Sequence, residues 1–371
     1  MKDRSNAVLV TGGAGYIGSA LVPALLGRGY RVRVFDQLLY GDAGLAGVRD
    51  QIELIEGDVR TFPPEILDDI SAVINLAGLS AEPAAEYRPE ANRQINTLAA
   101  VHIATLAREH GVARFIQASS CSNYDVGAGH PEKDILHTED FPVQPFRIYS
   151  ISKFEAEQGI LALNDTNFCP VVFRKGSVYG YGPRLRMDLV VNTFVYKAIR
   201  AGSIELHNGG EMWRPLLSID DAVDAYLLAI AAPPGKVRGQ IYNIVNGNYR
   251  ISELALRVQH ALAPLGIQCK LRPDYEYRNL RSCQASGKKA IEQLGFRPRV
   301  TVEQSAVDLA GKFQRGLLDD IDHPMYHNIR WLDALEDAKK ALGIDEPLFD
   351  LSPAKLKEVR VAATTQKQAA Q

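Results

Sequence analysis

The 371-residue sequence has few cysteines, and none of them stand close together. Cys121, Cys169, Cys269 and Cys283 are scattered along the chain without a CxxC pair. Structural zinc sites and disulfide frameworks need clustered or paired cysteines, so the spacing argues against both, and no metal site is predicted. A chain without a disulfide framework fits a reducing compartment, and we expect a cytoplasmic location.

The sequence also lacks an excess of either charge and lacks long apolar runs. Its 42 Lys and Arg residues against 44 Asp and Glu residues leave a net charge of -2, so no basic excess indicates nucleic acid. No apolar run approaches the roughly 18 residues that a membrane-spanning helix needs. The charged start MKDRSNAVLVTGG has no signal-peptide core. We expect neither nucleic acid nor a membrane as a partner.

The first half of the chain alternates short β-branched runs with longer helical patterns. This alternation predicts an α/β fold in residues 1–175, a Rossmann-type doubly wound parallel sheet covered by helices on both faces. The predicted strands are AVLV (7–10), RVRVFD (31–36), IELIEGD (52–58), AVINLAG (72–78), RFIQASS (114–120) and VVFR (171–174).

The second half has a different pattern. Beyond about residue 180, Gly, Pro, Asn and Arg interrupt shorter elements, and residues 176–350 are predicted to form a smaller, mainly substrate-binding domain. Apolar residues at i, i+3 and i+4 predict helices near 219–232 and 251–263. The end of the chain, 351–371, is rich in Lys, Gln, Ala and Thr and is predicted to be a disordered tail.

A glycine-rich loop follows the first predicted strand. TGGAGYIG places Gly12, Gly15 and Gly18 at the start of a helix, where glycines permit close approach to phosphates and helix amides attract their charge. The second strand ends at Asp36, whose carboxylate can accept hydrogen bonds from ribose hydroxyls and would repel a 2′-phosphate. These features predict NAD as the cofactor. Asp58 is a candidate for contacting the adenine, and a solvated turn aspartate is the alternative.

Tyr149 and Lys153 form a candidate acid–base pair. They stand at i and i+4 in a predicted helix (149–163), so they share one face. The phenol has an ordinary pKa of about 10, and a nearby ammonium and a positively charged nicotinamide would both favour phenolate, a proton acceptor. The alternative is an amphipathic helix with an exposed lysine. Ser119 and Ser120 end the fifth strand at the sheet edge where ligands bind.

These residues resemble the extended short-chain dehydrogenase/reductase family, in its branch of NAD-dependent nucleotide-sugar epimerases and dehydratases. The resemblance covers roughly residues 7–315. The motifs that carry it, in family order, are TGGAGYIG, Asp36, GDVR, LAGLS (76–80), the Asn96 helix, SSCSNY, YSISK, RKGSVYGYGPR (174–184), MWRPLLSIDD (212–221) and KKAIEQLGFRP (288–298).

The resemblance implies a catalytic triad of Ser120, Tyr149 and Lys153. Ser120 is preferred to Ser119 because it lies four residues before Tyr124, the family's spacing. Besides the three glycines, Asp36 and Asp58, the implied cofactor-binding residues are Tyr16, Ile17, Val59, Leu76, Ala77, Gly78, Asn96, Tyr149 and Lys153. The implied substrate-binding residues are Ser80, Ser120, Cys121, Ser122, Ser177, Arg184, Arg186, Asn192, Arg214 and Arg281.

The residues after Ser120 bear on the reaction. Family 4,6-dehydratases carry an Asp-Glu pair there and decarboxylases carry a glutamate, whereas this sequence has Cys121 and Ser122. A 4-epimerase, which removes and returns a hydride through a 4-keto intermediate, needs only the triad. A 4-dehydrogenase or 4-ketoreductase is the alternative. Cys121 is either an acid or base, as in a 3,5-epimerase, or a buried inert residue.

The arginines indicate the substrate class. Arg214 and Arg281 stand where the family places arginines that bind the diphosphate of a nucleotide sugar, and Arg184 and Arg186 lie near the expected pocket. Ser177 replaces an asparagine that many relatives carry. A non-catalytic NAD sensor and a dehydrogenase of other alcohols are rival hypotheses; the intact triad argues against the first and the arginines against the second. A homodimer is expected, with the helices near 90–109 and 149–163 as candidates for the contact.

Overall fold

A parallel sheet forms the centre of the molecule. In the computed structural model, which describes residues 6–127, 129–318 and 320–344, this sheet has seven strands in the order β11-β7-β5-β4-β1-β2-β3. Its strands are β1 (Ala7–Thr11), β2 (Arg31–Asp36), β3 (Glu53–Glu56), β4 (Ala72–Asn75), β5 (Arg114–Ser120), β7 (Cys169–Lys175) and β11 (Gln240–Ile244). The predicted parallel α/β sheet is confirmed, and the tail at 351–371 lies outside the described residues.

Helices cover both faces of the sheet, and the inner strand β1 is buried along its whole length. Val8 and Val10 of β1 face one layer, while Ala7 and Leu9 face the other, as the two-residue period of a strand requires. The first layer contains α1 (Tyr16–Gly27) and α7 (Ile219–Ala231). The second layer contains a π-helical turn (Gln94–Ala99), α4 (Ala100–Glu109) and α5 (Ile148–Leu161), preceded by the short α2 (Glu82–Tyr87) and α3 (Pro89–Arg93).

The second half of the chain contributes to this sheet. β11 pairs in parallel with β7 over five residues, from Gln240 with Val171 to Ile244 with Lys175. The sequence analysis did not predict this strand. α7 packs on the sheet beside α1, within the same apolar cluster.

The remaining elements form a smaller body beside the carboxyl ends of the main strands. Its strands are β6 (Leu136–His137), β8 (Ser177–Tyr179), β9 (Ser203–His207), β10 (Trp213–Ser218), β12 (Gly247–Arg250), β13 (Lys270–Asp274) and β14 (Gln284–Ala285). Its helices are α6 (Val190–Ala201), α9 (Ile251–Leu262) and α10 (Val302–Gln314), whereas the short α8 (Pro234–Val237) packs on the main sheet, with Val237 buried in the apolar cluster of the first layer. The helices predicted near 219–232 and 251–263 are confirmed by α7 and α9. That this part binds substrate stays a prediction.

The last described helix, α11 (Asn328–Ala341), returns to the first half of the chain. Leu332 is buried among apolar side chains of the sheet layer that contains α4 and α5. Trp331 Nε1 donates to the carbonyl of Leu39, 2.7 Å away, just after β2. Over the ranges described, the model contains no helix with both the length and the apolar character needed to cross a membrane.

Candidate active site

One pocket opens at the carboxyl ends of the parallel strands. It is lined by Gly12 after β1, Asp36 at the end of β2, Leu76 after β4, Ser120 at the end of β5 and Lys175 at the end of β7. Because strand order reverses on either side of β1, this edge is where open α/β sheets bind ligands. The pocket therefore combines residues that the sequence places far apart.

The glycine loop is packed too tightly for side chains. Gly12 has φ +71°, and a Cβ there would lie 2.6 Å from the amide nitrogen of Ala77. A Cβ on Gly18 would lie 2.5 Å from the carbonyl oxygen of Gly12. The backbone of this loop is therefore open to a ligand at the start of α1, where helix amides favour a diphosphate. Tyr16, Ile17, Ala77 and Gly78 line the same pocket, and their contact with a cofactor stays a prediction.

Asp36 organises the adjacent part of the pocket. Its two carboxylate oxygens accept hydrogen bonds from the amides of Ala14 and Leu38, each at 2.9 Å. Burial raises the pKa of this carboxyl, and the two amides oppose the rise. Each oxygen keeps a further lone pair for a ribose hydroxyl. Tyr40, which also lines the pocket, stacks against Arg184 with 3.8 Å from the guanidinium carbon to the ring centroid.

The carboxylate of Asp58 is engaged within the protein. It accepts from the backbone amide of Arg60 at 2.9 Å and forms an ion pair with the Arg60 guanidinium at 2.6 Å. Its neighbours Gly57 and Val59 line the pocket. An adenine contact by Asp58 stays a prediction, and it would have to be made beside this ion pair.

The candidate triad converges on the pocket. α5 presents Tyr149 and Lys153, with the lysine nitrogen 5.9 Å from the centre of the tyrosine ring, and β5 presents Ser120. Burial raises the pKa of Tyr149, while Arg281, Arg186 and the Ser120 hydroxyl lower it. Burial lowers the pKa of Lys153 to about 8, with Glu157 acting in the opposite direction. The two arginines offset part of the burial penalty on the ionised phenol, and the pKa of Tyr149 stays above its ordinary value.

Asn96 holds the segment beside the triad. It lies in the π-helical turn, a feature that often marks functional sites. Its amide nitrogen donates to the carbonyl of Leu79 at 3.0 Å and to Ser152 Oγ at 3.3 Å. Its Oδ1 is buried without a partner among the described residues, and a Cβ on Gly78 would lie 2.6 Å from it. This unpartnered acceptor lies next to Gly78, which lines the pocket.

Cys121 and Ser122 follow Ser120 in a 3-10 turn. The Cys121 thiol is 2% exposed and donates to the carbonyl of Arg174 at 3.2 Å. Burial raises its pKa well above the ordinary value, so the thiol is protonated at neutral pH and favours the inert interpretation. The Ser122 amide donates to Ser120 Oγ at 3.1 Å, and Ser122 Oγ is buried without a partner in the described part of the chain.

The predicted arginines divide into two groups. Arg281 lines the pocket and donates to Ser177 Oγ at 3.0 Å, while Arg214 donates to the backbone carbonyls of Trp213 and Arg281. Burial, reinforced by Arg281, lowers the pKa of Arg214 to about 9. Arg214 therefore supports the backbone that carries Arg281.

Arg184 and Arg186 line the opposite wall. Arg186 pairs with Asp188 at 2.8 Å and donates to Ser80 Oγ at 2.8 Å. Arg184 donates to Asn328 Oδ1 at 2.8 Å. Asn192 is completely buried and bonds the backbone of Gly180 and the carbonyl of Arg186, which makes it a support for this wall.

Sequence reasoning missed several lining residues, among them the polar residues Lys175, Tyr40 and Asn328. Lys175 follows a buried strand in FRKG, and a charged residue at that position was the signal for it. Tyr40 lies in an irregular loop, and Asn328 lies beyond the segment that resembles the family. No local pattern marked either of these two residues.

The model of the NAD dependent epimerase/dehydratase family matches residues 8–245. The chain belongs to this family. It is therefore an NAD-dependent enzyme of the extended short-chain dehydrogenase/reductase type, as the motifs implied. The pocket fits NAD, because the glycine loop and Asp36 line it and the unpartnered Oδ1 of Asn96 lies next to Gly78, another lining residue.

Relatives with assigned activities cover most of the chain. It is similar to UDP-glucuronic acid decarboxylase 1 of Arabidopsis thaliana, at 27% identity over 84% of this chain and 71% of the relative. It is also similar to UDP-glucose 4-epimerase of Corynebacterium glutamicum, at 26% identity over 84% of this chain and 97% of the relative. Among solved structures, MoeE5 in complex with UDP-glucuronic acid and NAD has a TM-score of 0.70 and 27% identity, covering 84% of this chain and 100% of that one.

Proposed function

We propose that this family member is a nucleotide-sugar 4-epimerase that works through a transient 4-keto sugar. One observation supports the proposal: the same pocket is lined by Tyr149, Ser120, Lys153 and Arg281. The proposal is also supported by the similarity to the Corynebacterium 4-epimerase, which covers nearly all of that enzyme.

The position of carboxylates around the pocket supports a 4-epimerase over a 4,6-dehydratase. Among the described residues that line the pocket, Asp36 is the only carboxylate, and the amides of Ala14 and Leu38 hold it where the cofactor is proposed to bind. Glu82 accepts a hydrogen bond from the Tyr149 amide at 3.3 Å and does not line the pocket. An elimination needs a further acid and base, whereas 4-epimerisation needs one proton acceptor. The arrangement therefore favours the epimerase over a 4,6-dehydratase.

The residues of this chain move and stabilise the proton in the proposed mechanism. Tyr149 takes the proton of the sugar 4-hydroxyl at its phenolic oxygen, and Ser120 holds the same sugar oxygen by a hydrogen bond. NAD, when bound, would accept a hydride from the sugar and return it. Tyr149 then gives the proton back to the oxygen on the inverted carbon. Arg281, oriented by Ser177, anchors the substrate diphosphate while the sugar turns between the two half-reactions.

The residues proposed to hold NAD follow the pocket from the glycine loop to the triad. Gly12, Gly15 and Gly18 face the diphosphate, Asp36 the adenosine ribose, and Lys153 the nicotinamide ribose. The homodimer and the cytoplasmic location remain expectations of the same proposal.

Replacement of the proposed base tests the mechanism. Tyr149→Phe removes the phenolic oxygen and keeps the ring packing, so we expect kcat to fall by about 10²–10⁴-fold while NAD stays bound. The measurement is turnover of a panel of nucleotide sugars by chromatography, with NAD content determined after denaturation. Tyr30→Phe is the matched control, because Tyr30 comes just before β2 and Asp36 is at the other end of that strand. Near-normal turnover in Tyr149→Phe would refute the assignment.

The fate of the cofactor separates the epimerase from a 4-dehydrogenase or 4-ketoreductase. An epimerase borrows and returns the hydride, so we expect near-stoichiometric NAD by mass spectrometry of the denatured protein. We also expect product formation without a lasting change in absorbance at the NADH band. Accumulation of NADH in step with product, in a protein purified without cofactor, would instead support the dehydrogenase.

A further inference from the structure

Lys175 places a second ammonium group at the reacting end of the pocket. It is the last residue of β7 and lies in register with Ser120 of the neighbouring strand β5. Residues in register on parallel strands point to the same face, and both side chains line the pocket together with Tyr149 and Lys153. The position is therefore beside the proposed catalytic groups.

Among the described residues, the Lys175 side chain has no counter-charge. Within residues 6–127, 129–318 and 320–344, no hydrogen bond or ion pair reaches Lys175. The preceding residue, Arg174, points to the other face of the sheet. Its guanidinium forms an ion pair with the carboxylate of Glu157 at 2.7 Å, so this carboxylate does not serve Lys175. Burial, reinforced by the positive charge of Lys153, lowers the pKa of Lys175 to about 7. A partly buried cation without a counter-charge costs free energy unless a ligand supplies one.

A second unpartnered donor, the Ser122 hydroxyl, belongs to the turn that contacts the end of β7. The Cys121 thiol donates to the Arg174 carbonyl at 3.2 Å, which joins the turn after β5 to the end of β7. The residues that follow each partner are Ser122 and Lys175, and both line the pocket. Ser122 is 4% exposed, and its hydroxyl has no hydrogen-bond partner among the described residues. One ammonium and one hydroxyl can bind the two oxygens of a carboxylate.

The other ligand charges already have candidate partners. In the proposed function, Arg281 serves the substrate diphosphate and Lys153 serves the nicotinamide ribose. Lys175 and Ser122 remain, at the end of the pocket where the sugar would lie. In a hexuronic acid, the carboxylate is attached to carbon 5, which is the neighbour of the reacting carbon 4.

We propose that Lys175, with Ser122, binds a carboxylate of the substrate, so that the preferred substrate is a nucleotide-linked uronic acid. This inference rests on the proposed function, because it requires a nucleotide sugar in the pocket. It assigns Lys175 the role of a specificity residue, and the proton transfer stays with Tyr149.

The test compares the binding of UDP-glucuronic acid and UDP-glucose, the two ligands present in the MoeE5 structures. Calorimetry is performed on the NAD-loaded Tyr149→Phe protein, in which turnover is blocked. We expect the uronic acid to bind at least tenfold more tightly than the neutral hexose. The comparison is repeated with the dTDP and GDP pairs, and the absence of a uronic acid preference in every pair overturns the proposal.

Substitution of the two donors then locates the effect. In the Tyr149→Phe background, Lys175→Met is expected to weaken uronic acid binding at least tenfold and to change hexose binding less than threefold. Lys175→Arg should retain the preference, Ser122→Ala should weaken uronic acid binding about threefold, and Lys197→Met, an exposed lysine on α6, should change neither affinity. An equal loss for both ligands in Lys175→Met, in protein with normal NAD content and circular dichroism, overturns the carboxylate role.

Failure of the proposed function has a different signature. If the unsubstituted enzyme converts the uronic acid without inverting carbon 4, the epimerase proposal fails while the affinity difference stands. If it inverts carbon 4 of neutral sugars and binds uronic acids no better, the epimerase stands and the inference about Lys175 fails.

Discussion

At the scale of single residues, Glu157 is the polar centre of the second helix layer. It is completely buried on α5, one helical turn after Lys153, and forms an ion pair with Arg174 at 2.7 Å. It also accepts hydrogen bonds from Asn123 at 2.7 Å and from Ser119. The carboxylate therefore ties α5 to β5, to β7 and to the turn after Ser120, which together carry the proposed catalytic groups.

Removing this charge should destabilise the protein strongly. Glu157→Gln leaves the buried Arg174 guanidinium without a counter-ion, and breaking a buried pair in this way costs about 3–5 kcal/mol. We expect that loss in the free energy of unfolding, measured by urea denaturation of the NAD-loaded protein. Glu155→Gln is the matched control on the same helix, because its contact with Arg93 is exposed and 3.9 Å long, and it should cost less than about 1 kcal/mol. Similar losses in both variants would contradict this account.

Residue positions were predictable where they follow from local spacing. The i, i+4 spacing placed Tyr149 and Lys153 on one helix face, and the glycines and Asp36 stand at strand ends. The contacts of Arg214 were not predictable from the sequence: its Nη1 donates to the carbonyls of Trp213 and Arg281, and diphosphate binding by Arg214 stays a prediction. The burial of Glu157 was not predictable either, because its partner Arg174 comes from a distant strand.

At the scale of elements, α11 contacts the part of the pocket where the cofactor is proposed to bind. Asn328 at its start accepts from Arg184, which stacks on Tyr40, and all three residues line the pocket. Further along, Leu332 is buried under the sheet layer, and Glu336 pairs with Arg88 beside α2. The helix therefore fixes the loop after β2, where the adenosine end of NAD is proposed to bind.

Loosening α11 should release the cofactor. Leu332→Ala leaves a cavity in the core and is expected to cost about 2–5 kcal/mol of stability. Because Asn328 lies on the same helix, we also expect faster loss of NAD during gel filtration of the purified protein. Asp337→Ala changes an exposed residue of α11 and serves as the control. If Leu332→Ala is less stable but retains NAD, the packing of α11 does not control cofactor binding and this prediction is wrong.

Elements were predictable where periodicity is strong. α7 and α9 agree within two residues with the helices predicted near 219–232 and 251–263. β11 was missed because its role depends on pairing with β7, some 70 residues earlier, which no local pattern records. α11 was missed for a related reason, since its packing partners belong to the first half of the chain.

At the scale of the whole molecule, the cofactor pocket is formed by segments from Gly12 to Asn328. A ligand bound across these segments stabilises the folded state by about 2.7 kcal/mol at a concentration 100 times its Kd. We expect added NAD to raise the unfolding temperature of protein stripped of cofactor by several degrees in a thermal scan. NADP should raise it much less, because Asp36 repels a 2′-phosphate. Equal stabilisation by the two dinucleotides would contradict the role of Asp36.

The place of β11 in the sheet has a consequence for synthesis of the chain. A ribosome completes β7 at residue 175, but the strand that covers its edge ends at residue 244. During that interval the nascent chain exposes an unpaired edge whose residues Val171, Val172 and Phe173 are all apolar. Folding of the sheet then competes with aggregation and with chaperone binding until β11 has left the ribosome.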